Sequence, residues 1–108
     1  HDEDAEIIRK IKSIKVLDLE SCTASVKERF NKKVNKLNLK GYDELMRVND
    51  EGEKVRVLMK TKKETIRELL FVCTGKEDCT LVQINGKFTK EDIDKLVNQE
   101  TKKKHGRR

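Results

Sequence analysis

The sequence predicts an α+β domain built on an antiparallel β-meander, and three patterns carry that prediction. Apolar residues recur at helical spacing between residues 26 and 37. From Tyr42 the period changes to two, in four successive runs separated by short polar turns. A helix-start signature then appears at Thr89. A switch of period from 3.6 to 2 marks the change from a helix with one buried stripe to strands with one buried face.

The elements follow in order. The acidic opening "HDEDAE" places residues 1–10 as a frayed N-terminus. In "IKSIKVLDL", Ile14, Val16 and Asp18 fall on one side and Ser13, Lys15, Leu17 and Leu19 on the other, which predicts a strand from Ile11 to Leu19. In "SCTASVKERFNKKVNKLNLKG", Val26, Phe30, Val34 and Leu37 form one helical stripe. Ser21, Thr23 or Ser25 can cap its start, and Gly41 sits where a left-handed C-cap is wanted.

Four strands follow. "YDELMRV" and "KVRVLMK" flank the turn "NDEGE". "TKKET" separates the second run from "IRELLFVC", and "TGKED" leads into "CTLVQIN". In "KFTKEDIDKLVNQE", Thr89 and Asp92 have capping-box spacing, with Ile93, Leu96 and Val97 as the apolar side of a short helix. The predicted order is β-α-β-β-β-β-α with both helices on one face of the sheet. Residues 11–98 form a single domain and residues 99–108 a basic, flexible tail.

Composition agrees with a small folded domain. Charged residues make up 43% and hydrophobic ones 34%, so the core is lean. Leu, Ile, Val and Phe still reach about 27% of the chain, above the roughly 20% below which disorder is expected. No apolar run approaches a membrane span and no signal peptide opens the chain. His1 is not an initiator Met, which leaves export open. The net charge of +6 invites a nucleic-acid reading, but Lys102, Lys103, Lys104, Arg107 and Arg108 carry five of the positive charges. Without them 21 basic residues stand against 20 acidic ones. A basic terminal run of this kind reads as a solvated end.

Pairing Val48 with Val55, Val55 with Val72 and Val72 with Thr80 sets a register for the meander. One face then carries Met46, Val57, Leu70 and Val82, then Glu44, Met59, Glu68 and Ile84, and is expected to lie under the helices. The other face carries Leu45, Leu58, Leu69, Phe71 and Leu81, with Arg47, Arg56 and Arg67 around them. Five large apolar residues on a solvent face predict a cover, whether a further segment, a second copy or a different partner. In the same register Cys73 faces Cys79, close enough for a disulfide across the turn. Two unpaired thiols, or redox or metal work, are the alternatives, and Cys22 is left over as a small, partly buried residue.

Signals for catalysis are missing from this sequence. It has no glycine-rich phosphate loop and no G-x-S-x-G, and its histidines, His1 and His105, are terminal. Four zinc ligands cannot be assembled, and four aromatics, Phe30, Tyr42, Phe71 and Phe88, do not make an RNA-stacking platform. The expectation is a protein that is not an enzyme and uses no cofactor or metal.

The stretches "KGYDELMRVNDEGEKVRVLMK" and "IRELLFVCTGKEDCTLVQINGKFTKEDIDKL" resemble domain of unknown function 4252, a family of small exported Bacteroidetes proteins. The resemblance runs from about Ile7 to Asn98 and rests on turns and core positions. It implies a secreted or lipid-anchored protein of the periplasm or cell envelope, with no established biochemical role. The chain departs from the family in a shortened stretch before the first strand and in the Cys73/Cys79 pair. Two functions follow. One is a non-catalytic envelope module that binds a protein partner, or itself, through the leucine face, with a possible lipid anchor upstream. The other is a cytoplasmic basic domain that binds nucleic acid through the tail and the arginines, although no specific nucleic acid is expected.

Overall fold

The computed structural model of this protein describes residues 2–75 and 79–95. Features expected at His1, Glu77, Asp78, Leu96, Val97 and the basic tail lie outside the described residues. The chain runs α1 (Asp2–Arg9), β1 (Ile11–Asp18), α2 (Ala24–Asn35), a 3-10 turn (Leu37–Lys40), β2 (Asp43–Asp50), β3 (Glu53–Lys62), β4 (Thr65–Thr74) and β5 (Cys79–Phe88). A last helix, α3, covers residues 90–95 of the described chain. The architecture is the expected α+β one: β2 to β5 form a meander and β1 joins its far edge, in the order β1-β5-β4-β3-β2. Every pairing is antiparallel.

The N-terminus corrects the expectation. The acidic opening is helix α1 rather than a frayed end, and Ile7 on it is buried. Helix α2 follows its predicted stripe. Thr23 is the N-cap and accepts a hydrogen bond from the Val26 amide at 3.3 Å. The α-helix stops at Asn35, the 3-10 turn carries the chain onward, and Gly41 follows it at φ 92°.

Two of the hairpins are as tight as a hairpin can be. Asp50 pairs with Glu53 across Glu51 (φ 49°) and Gly52 (φ 85°), and Lys62 pairs with Thr65 across Lys63 (φ 49°) and Glu64 (φ 69°). Positive φ at both central residues is the hairpin turn whose twist matches that of the strands. Val48 faces Val55 as the sequence suggests.

Bulges then overturn the rest of the expected register. Leaving the second hairpin, Thr61 pairs with Ile66 in the expected alignment, but Arg67 is an inserted residue and Lys60 pairs with Glu68. From there each partner is displaced by one: Val55 faces Cys73 and Arg56 faces Val72. On the next strand Val72 faces Leu81. A second bulge at Leu45 sets Glu44 opposite Leu58. Because side chains alternate, a slip of one residue exchanges the two faces of a strand.

The helices therefore divide between the faces instead of sharing one. On the first face α2 packs Val34, with Phe30 and Leu37, onto Leu58, Leu70, Val72 and Leu81. On the second, Ile7 of α1 and Ile93 of α3 join Phe88, Ile66 and Leu69, with Met59, Phe71 and Ile84 around them. We call these the α2 face and the valine face, the latter after Val48, Val55, Val57 and Val82.

Helices α1 and α3 are tied together at the sheet end. Thr89 and Asp92 exchange hydrogen bonds: the Thr89 amide donates to Asp92 Oδ2 at 2.9 Å and the Asp92 amide to Thr89 Oγ1 at 3.1 Å. This is the predicted capping box, with Asp in the Glu position. Lys10 Nζ, just after α1, meets the same carboxylate at 2.6 Å. Burial pushes the Asp92 carboxyl up, but Lys10 and both Thr89 bonds outweigh it and leave the group below its ordinary value. A carboxyl lowered by folding stabilises above its unfolded pKa, and that contribution is lost as the pH falls through the folded one. Asp92→Ala should therefore cost about 2–3 kcal/mol at neutral pH, the sum of a lost cap and a charged hydrogen bond. In urea titrations the gap between variant and parent should close as the pH drops below the carboxylate range. A gap that stays constant would refute the electrostatic part.

Candidate functional site

The eight residues expected to form one apolar site do not lie together. Leu45, Leu69 and Phe71 lie on the valine face, packed within the α1–α3 core. Leu58, fully buried, and Leu81 lie on the opposite face beneath α2. Leu58 and Leu69 are core residues, so the leucine face does not exist as a surface. The physical causes are the bulge at Leu45, the slip of β4 against β3 at Arg67, and a β4–β5 pairing one residue out of the expected register.

The arginines also separate. Arg56 is only 5% exposed. Its Nη1 donates to the Val34 carbonyl at 3.2 Å, bracing the last turn of α2 where a cation is favoured. Arg56 and Arg47 each reach Glu44 Oε2 at 2.8 Å. Arg47 above all, and then Arg56, hold the Glu44 carboxyl below its ordinary value against a cost of burial. The pair is a structural clamp between β2 and β3. Arg67 is exposed on its bulge, away from both.

The expected disulfide is corrected by the β4–β5 pairing, which runs one residue out of the expected register from Glu68 to Thr74. Cys73 faces Thr80, and Cys79 faces Thr74, so the two cysteines project from opposite sides of the sheet. All three cysteines are thiols. Burial, the largest cause, pushes the Cys79 thiol up; Cys22 and Asp18 add to the rise and Lys27 opposes it. Cys22 is exposed rather than partly buried.

A partly exposed apolar surface is present, built from other residues around the buried Val57. Across the valine face one row runs Val16, Val82, Phe71, Val57 and Met46, and the next runs Thr80, Cys73, Val55 and Val48. Met46, Val48, Val55 and Val82 belong to neither core cluster and are half-buried. At the rim Ile14 is 55% and Val16 66% exposed, and Leu17 on the other side of β1 is 46% exposed. Among the described residues β1 is an edge strand: one side of its backbone pairs with β5 and the other has no neighbouring strand. The alternation that put Ile14 and Val16 on one side of β1 was a readable signal for this surface. What it lacked was the knowledge that both side chains stay exposed in the fold.

The other edge contrasts with it. Strand β2 reads "DELMRVND", carries a bulge at Leu45, and spends its charges on the Glu44–Arg47 pair. Charges and bulges are how sheet edges avoid further pairing. On β1, which has its own bulge at Lys12, half of the exposed positions are apolar: Ile14, Val16 and Leu17 beside Lys12, Lys15 and Asp18.

The family model of a domain of unknown function (DUF4252) matches residues 1–96, nearly the whole described chain. The chain belongs to this family. The match includes α1, so the helix missed in the sequence lies within the DUF4252 domain. No curated protein and no solved structure matches the chain. Among the described residues of this DUF4252 domain no three of His, Cys, Asp and Glu converge as metal ligands would, and no helix is long and apolar enough to cross a membrane.

Proposed function

We propose that this DUF4252 domain is a non-catalytic interaction module that docks a protein partner on edge strand β1 and the adjoining valine face. The observation that carries the reading is the exposure of Ile14, Val16 and Leu17 on a strand with an open edge. An open edge supplies backbone donors and acceptors, and exposed side chains beside it supply apolar contact. Together they suit the addition of a partner strand. Two of the three arginines needed by the nucleic-acid reading already share Glu44, which leaves that reading little support in the described body.

Replacing Ile14 and Val16 together by lysine should leave stability within about 0.5 kcal/mol, because both side chains are largely exposed. The same change should abolish self-association in sedimentation velocity, or capture of a partner from an envelope fraction. Assembly that is equal in variant and parent sinks the proposal. Placement in the periplasm or envelope, as an exported or lipid-anchored protein, belongs to this proposal and rests on the family resemblance. Fractionation of cells that express the native gene tests it, and recovery in the cytoplasm alone would refute it.

A further inference from the structure

Ser13, Asn85, Glu68 and Lys60 are successive partners in one row across the α2 face, beyond the footprint of α2 itself. Three of the sheet's four register shifts fall at this row: between Ile11 and Ser13 on β1, between Lys60 and Thr61 on β3, and between Ile66 and Glu68 on β4. Lys12 is the inserted residue on β1 and Arg67 the inserted residue of β4 against β3. In an unbroken strand Lys12 would point away from the face that Ser13 occupies, and Arg67 away from that of Glu68. A bulge re-aims such a side chain, and bulges are enriched beside functional sites.

The result is a cleft of about 340 Å³ lined by Lys12, Lys60, Arg67, Ser13, Asn85 and Glu68, with Gly86 at its edge. Lys12, Lys60 and Arg67 form no ion pair among the described residues. The single carboxylate is already engaged. Glu68 Oε2 accepts from the Tyr42 hydroxyl and from Gln83 Nε2, the latter at 2.9 Å. The Tyr42 phenol is pushed up to about 12, by burial first and then by Glu68, so it remains a donor throughout the ordinary pH range. Lys60 Nζ is held 5.0 Å from the centre of the Tyr42 ring. Asn85 Nδ2 donates to Ser13 Oγ at 3.2 Å, which orients the serine hydroxyl's own hydrogen elsewhere.

Three cations, two of them set by bulges, outnumber the one carboxylate of the cleft, and they repel one another unless a further anion joins them. We propose that this cleft is a binding site for a small oxyanion, a phosphate or carboxylate group. The cations supply charge-assisted hydrogen bonds, and Ser13 and Asn85 supply neutral ones. The volume lies at the small end of the range for ligand pockets, which suits one anionic group on a small molecule. This site is on the opposite face from the open valines and does not depend on the interaction reading.

The test is a titration of the ¹⁵N-labelled full chain with inorganic phosphate and, separately, with citrate, at ionic strength matched by sodium chloride. Saturable shifts are expected at the amides of Ser13, Asn85 and Gly86, and the stronger of the two probes identifies the preferred oxyanion. Lys12→Glu combined with Arg67→Glu should weaken binding by about tenfold or more, since each charge-assisted contact is worth at least that. Both positions are exposed, and an unchanged far-UV spectrum establishes that the variant is folded. Removing residues 102–108 should leave the shifts unchanged. The proposal is overturned if neither probe saturates, if the shifts vanish with the tail, or if the folded double variant binds as the parent does.

Discussion

Leu58→Ala should lower the unfolding free energy by about 3–5 kcal/mol, the upper part of the range for a buried leucine. Leu58 has no exposed surface and is enclosed by Val34 from α2 and by Leu70 and Val72 from β4. Truncation leaves a cavity between a helix and a sheet, two rigid bodies that close poorly around it. A domain of this size has roughly 5–15 kcal/mol in total, so a large share of the variant's stability is at stake. The result also discriminates between registers. In the alignment read from the sequence Leu58 belonged to the face away from both helices, where, unless another segment covered it, alanine would cost well under about 1 kcal/mol in the monomer. Urea titration measures the difference, and a loss that small would mean that α2 does not sit on Leu58.

Gly86→Ala should be nearly as damaging, at about 3 kcal/mol, the upper part of the usual range for overpacking. The cause here is space rather than backbone freedom. A methyl group at residue 86 would run into the Lys10 carbonyl oxygen and would stand 2.9 Å from two atoms of the Phe88 ring. Neither neighbour can yield cheaply. The Lys10 carbonyl accepts the Lys87 amide at 3.2 Å, the bond that holds the entry of β1 against β5, and Phe88 is 1% exposed within the α1–α3 core. The strand should give way before the ring does. Hydrogen exchange is therefore expected to speed up first in β1 and α1, while β3 and β4 keep their protection. An unchanged unfolding midpoint, with β1 still protected, would show that the close approach is relieved at no cost.

The two variants probe opposite faces, and they bear on how the functional surface arises. The α2 face is closed at its centre by Leu58 and opens at Leu17 on its edge and at the row of bulges, where charge gathers. The valine face is closed at the end held by Ile7, Phe88 and Ile93 and at Val57, and is most open at Ile14 and Val16 on its rim. Each open region begins where helical cover stops. In a lean chain with 43% charged residues, the three helices of the described residues do not cover both sides of the five-stranded sheet, and the surface left over is apolar on one side and basic on the other.

What the sequence alone determined is local. The stripe from Val26 to Leu37, the Asp50–Glu53 turn with Gly52, the four strands and the Thr89–Asp92 capping box could all be read because each is decided by residues a few positions apart. Three other things could not be read. Helix α1 looked like a frayed acidic end because its anchors, the burial of Ile7 and the Lys10–Asp92 pair, join residues that are 82 positions apart in the second case. The register slip at Arg67 has no signature in "TIRELL", since whether a strand inserts a residue depends on what its neighbours offer across the sheet. From that residue follows the exchange of Leu58 and Leu69 between faces, while the β4–β5 pairing, displaced by one on its own account, separates Cys73 from Cys79 and Phe71 from Leu81. Side chains alternate strictly along a strand, so the tertiary pairing of one bulge decides which half of the apolar residues becomes core and which is left at the surface.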